Sequence, residues 1–107
     1  MNWISITSEE QIKDLLAAQQ VFAVFKHSTR CSISSMVKNR LERDWKSDLP
    51  VYYLDLLAYR SISNLIAQLS GVVHESPQII VFKNGEAVYD ASHTAIDASE
   101  VAEHIQA

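Results

Sequence analysis

The chain contains one cysteine, Cys31. It follows the polar, partly basic run Lys26-His27-Ser28-Thr29-Arg30 and precedes Ser32-Ile33-Ser34. A thiol in such company can attack a disulfide sulfur if it is ionised and reachable. Upstream, Val21-Phe22-Ala23-Val24-Phe25 is an apolar run; downstream, apolar residues recur at helical spacing. The pattern reads as a buried strand, a short loop, a thiol, and a helix beginning at or just after it. A cysteine in that place meets unpaired backbone N–H groups and the positive end of the helix macrodipole. Both favour thiolate over thiol. Arg30 precedes the cysteine, and Lys26 and His27 are close in sequence, so the local field is expected to be positive. The competing reading is a small buried hydrophobe, the commoner role of a lone cysteine. The polar neighbours Ser28, Thr29, Arg30, Ser32 and Ser34 favour the reactive reading over the buried one.

The remaining elements must hold that sulfur. Trp3-Ile4-Ser5-Ile6 alternates like a short strand, and Thr7 or Ser8 can cap a helix whose apolar face is Ile12, Leu15, Leu16 and Gln19. The run 21–25, apolar at every position, suits a central strand covered on both faces. After Cys31, the residues Ile33, Met36, Val37, Leu41 and Trp45 describe one side of a helix, with Lys38, Arg40, Glu42, Arg43 and Asp44 mainly on the solvated side. Val51-Tyr52-Tyr53-Leu54-Asp55 is a third strand candidate. Arg60 to Leu69 predicts a helix with Ile62, Leu65, Ile66 and Leu69 inward and Gly71 as its C-terminal cap. A polar loop, 71–78, ends at Pro77-Gln78. Ile79 to Lys83 is a strand, Asn84-Gly85 a two-residue hairpin turn, and Glu86 to Ala91 the returning strand. Asp97 to Ile105 is a last helix. The order β-α-β-α-β-α-β-β-α predicts an α/β domain over 1–107, a central mixed β-sheet flanked by helices on both faces.

Composition narrows the function classes. The formal net charge is −4, with no basic stripe or charged tail, so nucleic-acid binding is not expected. No apolar run reaches the length of a membrane span, and the N-terminus lacks a signal-peptide core. One cysteine forms no internal disulfide, which makes the reducing cytoplasm the expected compartment. No metal site is expected either, because there is one thiol and the histidines lack close paired spacing.

Two local motifs resemble the thioredoxin fold: the thiol at the start of the second helix, and Ser76-Pro77-Gln78-Ile79-Ile80-Val81-Phe82-Lys83-Asn84-Gly85-Glu86. That resemblance implies a cis proline at Pro77, beside the sulfur. Cys31-Ser32-Ile33-Ser34 has serine where a dithiol enzyme has its second cysteine. Phe25 stands where thioredoxins carry a buried aspartate. The run from Phe25 to Ser34, with His74-Glu75-Ser76-Pro77-Gln78 downstream, resembles a narrower family, the YtxJ-type monothiol bacilliredoxins. Ser32 departs from that family's pattern, which usually has proline there.

The resemblance implies a monothiol thiol–disulfide oxidoreductase. Cys31 would reduce mixed disulfides between proteins and a low-molecular-weight thiol, bacillithiol in that family, with no tightly bound cofactor. Ser34, one turn into the helix, either donates a hydrogen bond to the sulfur or simply caps the helix. Thr29 and Arg30 either contact substrate or are exposed loop residues. Lys26 and His27 match the family run or form a solvated strand end. His74, Glu75, Ser76 and Pro77 are expected near the sulfur, where the backbone of Ser76 can pair with a substrate's extended chain. Two other functions compete: a non-enzymatic thioredoxin-like binding module using the proline loop, and an iron–sulfur carrier like the monothiol glutaredoxins. The carrier ranks last because the sequence shows no clear glutathione-type basic cluster.

Overall fold

A computed structural model of the chain describes residues 1–106. The strands are β1 (Trp3–Ser5), β2 (Phe22–His27), β3 (Val51–Asp55), β4 (Gln78–Lys83) and β5 (Glu86–Ser92). The α-helices are α1 (Glu9–Ala17), α2 (Ser32–Asp44), α3 (Arg60–Ser70) and α4 (Ala98–Gln106), and a 3₁₀ turn lies at His93–Ala95. The sheet order is β1-β3-β2-β4-β5. β2 and β3 run parallel, with Phe25 opposite Tyr53 and His27 opposite Asp55. β4 is antiparallel to β2, with Lys26 opposite Gln78.

The predicted order of elements is therefore the observed one, and the mixed sheet has a core on each face. On one face Ala23 and Phe25 of β2 pack with Val37 and Leu41 of α2, Trp45 just past its end, and Val101 of α4. On the other, Phe22 and Val24 pack with Ile12 of α1 and Ile62 and Ile66 of α3. This is the alternation of a pleated strand buried on both sides. All of β2 is buried, including Lys26 and His27. The strand runs two residues beyond the expected Val21–Phe25, because the ladder to β3 and β4 continues through those polar residues.

Local signals account for the ends of the elements. Ser8 caps α1, its Oγ accepting from the Gln11 N–H at 3.3 Å. Gln19, expected on that helix, lies past its end at φ 56°. Gly71 ends α3 in the left-handed region at φ 73°, its N–H donating to Ala67 O. The hairpin Asn84-Gly85 has φ 52° and 80°, the positive pair that such a turn requires. A Cβ at Gly85 would also lie 3.3 Å from the backbone oxygen of Leu16. Gly85→Ala is therefore expected to lower stability by about 1–2 kcal/mol, measured by urea unfolding. An unchanged midpoint would contradict it.

Two faces differ from the periodic reading. On α2 the buried positions are Ser34, Val37 and Leu41, while Ile33 and Met36 are each 47% exposed. Ser34 occupies the inward place in the first turn, which rotates its apolar neighbours outward. Leu69, at the end of α3, is likewise exposed. Arg40 is not simply solvated: its guanidinium donates to the carbonyls of Thr94 and Ile96, tying α2 to the 3₁₀ turn.

Candidate active site around Cys31

β2 delivers the chain to one end of the sheet, and the polar run turns it into α2. The Cys31 N–H donates to Ser28 O at 3.1 Å, closing a tight turn. Cys31 is the N-cap of α2, in extended conformation, and its side chain makes no capping hydrogen bond. The thiol is half-buried and unpaired by any disulfide. It therefore sits at the N-terminal end of a helix of 13 residues, as the sequence predicts. Thr29 and Arg30 are exposed in the turn before it.

Ser34 makes neither of its expected contacts. Its side chain is fully buried, and its Oγ lies 2.6 Å from His27 Nδ1 while accepting from the Ser28 N–H at 3.2 Å. The hydroxyl is thus held by the strand end and the turn rather than by the sulfur. Burial, aided by the charge of Lys38 and opposed by Asp55, lowers the pKa of His27. A neutral ring accepts at Nδ1 from the Ser34 O–H, so the pair is satisfied without a charge. The His27 ring packs against Phe25, with centroids 5.9 Å apart, and against Tyr53 at 5.6 Å.

Lys26 and His27 are not a solvated strand end. Pleating sends Lys26 to the opposite face, under α3, where it is 0% exposed. Its Nζ donates to Ser63 O at 3.3 Å and approaches His74 Nδ1 at 3.3 Å. The Ser63 hydroxyl is 3.0 Å from the same nitrogen, and Arg60 Nη1 is 3.2 Å from His74 Nε2. Burial, reinforced by Arg60, lowers the pKa of Lys26 from 10.5 to about 8. Burial and then the charges of Lys26 and Arg60, opposed by Glu75, lower that of His74. Arg60 and Ser63 carry no signal in the sequence. Arg60 reads there as an ordinary first-turn helix residue, and only the folded chain brings it to His74.

A buried ammonium with no carboxylate partner costs stability. Replacing it with an apolar chain of similar length, Lys26→Met, is expected to raise stability at pH 7 by about 1–3 kcal/mol, the relieved desolvation less the hydrogen bonds given up. The folded-state pKa lies below the unfolded one, so the unfolded chain binds more protons between about pH 8 and 10.5. The penalty is complete below pH 8 and fades as pH rises through that window. The gain from Lys26→Met should shrink accordingly in unfolding curves taken at pH 7, 9 and 10. A gain independent of pH would contradict this origin.

The proline loop enters the sheet at the same end. The Ser76–Pro77 peptide is cis. Gln78, buried, braces the loop by donating from Nε2 to Val73 O at 3.0 Å, and Pro77 O accepts from the His93 N–H at 2.9 Å. Glu75 is exposed, and Ser76 is half-buried with its Oγ enclosed and unpartnered. Among the described residues no group of three or more His, Cys, Asp or Glu side chains is placed to hold a metal ion. No helix there is long and apolar enough to cross a membrane.

Solved structures share this architecture. A protein with a thioredoxin fold, described as a candidate oxidoreductase, is 32% identical with a TM-score of 0.83, over 98% of this chain and 94% of that one. Thioredoxin of Malassezia sympodialis is 22% identical with a TM-score of 0.71, over 99% of this chain and 89% of that one. Thioredoxin of Schistosoma mansoni is 18% identical with a TM-score of 0.73, over 99% of this chain and 97% of that one. The fold and the single thiol at the N-cap position of α2 thus define a thioredoxin-fold protein with one cysteine at its site. A family profile described as monothiol bacilliredoxin BrxC matches residues 4–101. The chain belongs to the monothiol bacilliredoxin family, and its role is in thiol redox chemistry.

Proposed function

We propose that this chain is a monothiol thiol–disulfide oxidoreductase that reduces mixed disulfides between proteins and a low-molecular-weight thiol, bacillithiol being the thiol its family points to. The observation that carries the reading is the site of the sulfur: one half-buried cysteine at the N-cap of α2, with buried Ser34 in place of a second thiol. A helix N-terminus, with its unpaired backbone N–H groups, is a position that suits a sulfur which must attack and later leave. Cys31 thiolate attacks the small-thiol sulfur of a mixed disulfide. The bond to the protein breaks, the protein thiolate leaves and takes a proton from water, and Cys31 keeps the small thiol. A second small-thiol molecule, as thiolate, attacks that adduct, releasing Cys31 and carrying the disulfide away.

The surroundings supply docking for the protein partner. Ile33 and Met36, exposed on the first turns of α2, and Val73, 82% exposed beside His74, offer apolar surface at the cysteine end of the sheet. Thr29 and Arg30 flank the sulfur as exposed polar contacts. The backbone of Ser76 before Pro77 offers hydrogen bonds to an extended substrate chain. The reducing cytoplasm is the compartment that suits a lone working thiol.

The test is release of a labelled small thiol from a mixed-disulfide protein, with mass spectrometry of this chain. The expected product carries one small-thiol adduct on Cys31. A tight complex with the partner and no adduct would replace the enzyme reading with that of a binding module.

A further inference from the structure

The side chains of Lys26, Arg60, Ser63 and His74 hold more hydrogen-bond donors than acceptors. A neutral imidazole has one acceptor nitrogen. In His74 both nitrogens face a cation: Lys26 Nζ at 3.3 Å from Nδ1, and Arg60 Nη1 at 3.2 Å from Nε2. If Nδ1 accepts from Lys26 or from the Ser63 hydroxyl, the proton sits on Nε2 and points at the guanidinium. If Nε2 accepts from Arg60, the Nδ1 proton serves Ser63 and points at the ammonium. With the proton on Nε2 two donors face each other; with it on Nδ1 the Ser63 hydroxyl takes the proton, and the two cations still crowd the ring without a counter-ion. The charges are equally unbalanced. The ion pairs among the described residues are Lys38–Glu42 and Arg43–Asp44, and neither includes Lys26 or Arg60. The acidic neighbour is Glu75, exposed and bonded to neither cation. A chain of net charge −4 thus concentrates two unpaired cations and an imidazole at one place.

An anion on the Arg60 side resolves both imbalances. Arg60 is exposed and His74 half-buried, so that side is open to solvent, whereas Lys26 is sealed beneath. With the proton on Nε2, the imidazole N–H and the guanidinium N–H groups are both free for one acceptor group. A carboxylate, with two oxygens, accepts from both. Arg60 also begins α3, whose N-cap Tyr59 supplies no side-chain hydrogen bond. The cluster opens at the thiol's end of the sheet. The Leu56 N–H donates to His27 O at 3.0 Å, and Cys31 and Arg60 each follow four residues beyond that junction. His74 lies three residues before Pro77.

We propose that Arg60 and His74, backed by buried Lys26, form a receptor for a carboxylate group on the low-molecular-weight thiol that Cys31 exchanges; this rests on the exchange reading above. The thiol's sulfur engages Cys31 on one side of β2 while its acid group reaches round the strand end to the other. Chemically, Cys31 thiolate attacks one sulfur of a disulfide, a new Cys31 disulfide forms, and the departing thiolate takes a proton from water. Bound carboxylate favours protonated Lys26, so the preference for an acidic partner weakens as pH rises through about 8. The charged group acting on Lys26 in that titration is Arg60 of α3, while Glu75 of the loop acts on the neighbouring His74.

Two symmetrical disulfides serve as probes: dithiodipropionate, with a carboxylate on each arm, and neutral bis(2-hydroxyethyl) disulfide. The rate of adduct formation on Cys31 is measured by mass spectrometry at low salt. Dithiodipropionate is expected to react about tenfold faster relative to the neutral probe than it does once Arg60→Gln or His74→Gln is introduced. Lys83→Gln removes a positive charge at the far end of β4 and should leave the ratio unchanged. In parallel, Cys31→Ser protein is titrated with succinate while the His74 ring resonances are followed by NMR. Saturable shifts that Arg60→Gln abolishes are expected. A rate ratio untouched by Arg60→Gln and His74→Gln, or ring resonances that do not move, overturns the receptor. If neither disulfide modifies Cys31, the exchange reading fails, and the succinate titration still decides whether the receptor exists.

Discussion

Cys31→Ser is expected to abolish small-thiol transfer completely. The chain has no other cysteine, and an alcohol is far too weak a nucleophile at neutral pH to take its place. The fold should hardly notice the change. The Cys31 side chain is half-buried and caps no backbone group, so stability should stay within about 0.5 kcal/mol of the parent. Loss of transfer with an unchanged unfolding midpoint therefore separates chemistry from folding. The unsubstituted protein has a matching signature. Without added small thiol it should stop after one adduct per chain, because Ser34 cannot resolve it and is in any case buried against His27. Addition of the free thiol should restart turnover. Transfer by Cys31→Ser at the parent's rate would end the proposed mechanism.

Phe25→Ala is expected to cost about 3–5 kcal/mol of stability. Phe25 is fully buried in the central strand and shares its cluster with Val37, Leu41 and Ile79. Its ring lies 5.6 Å from Trp3 and 5.9 Å from His27. Truncation opens a cavity between the sheet and α2, directly beneath the strand end that carries the His27–Ser34 pair. Domains of this kind have about 5–15 kcal/mol in total, so the variant approaches the unfolding threshold. Urea unfolding measures the loss as a lowered midpoint at constant slope. A cost under about 1 kcal/mol would show that the site can collapse around a smaller side chain. The position bears on the chemistry as well. Where dithiol relatives of this fold carry an acid to serve a second thiol, this chain has an aromatic ring that packs, which agrees with a serine at the second thiol's place.

Much of the architecture is legible in the residues themselves. The apolar run before Cys31 marks the central strand, Asn84-Gly85 marks the hairpin, and Gly71 marks the end of α3, since each signal is local. The setting of the thiol is legible for the same reason. What escapes is the direction of individual side chains. Ser34 is polar, so periodicity assigns the inward turn of α2 to Ile33 and Met36, while its hydrogen bonds to His27 and Ser28 draw it inside instead. Lys26 and His27 look like a wet strand end because their partners, Ser63, His74 and Ser34, lie far off in sequence or behind a turn. Arg60 is invisible for the same reason: its significance is a 3.2 Å approach to a residue in another element.

The pleat of β2 divides adjacent residues between two environments. His27 belongs to the layer of α2, and Lys26 to the layer of α3, with the strand's own backbone as the partition. Neither side chain shares a hydrogen-bond partner with the other. In stability, substitutions on the two sides should therefore combine without interference, and a double-mutant cycle of unfolding free energies between Ser34 and Ser63 should close to within about 0.5 kcal/mol. A lineage carrying this fold can thus retune the neighbourhood of its sulfur and the charge beneath α3 as two separate dials, set by consecutive codons.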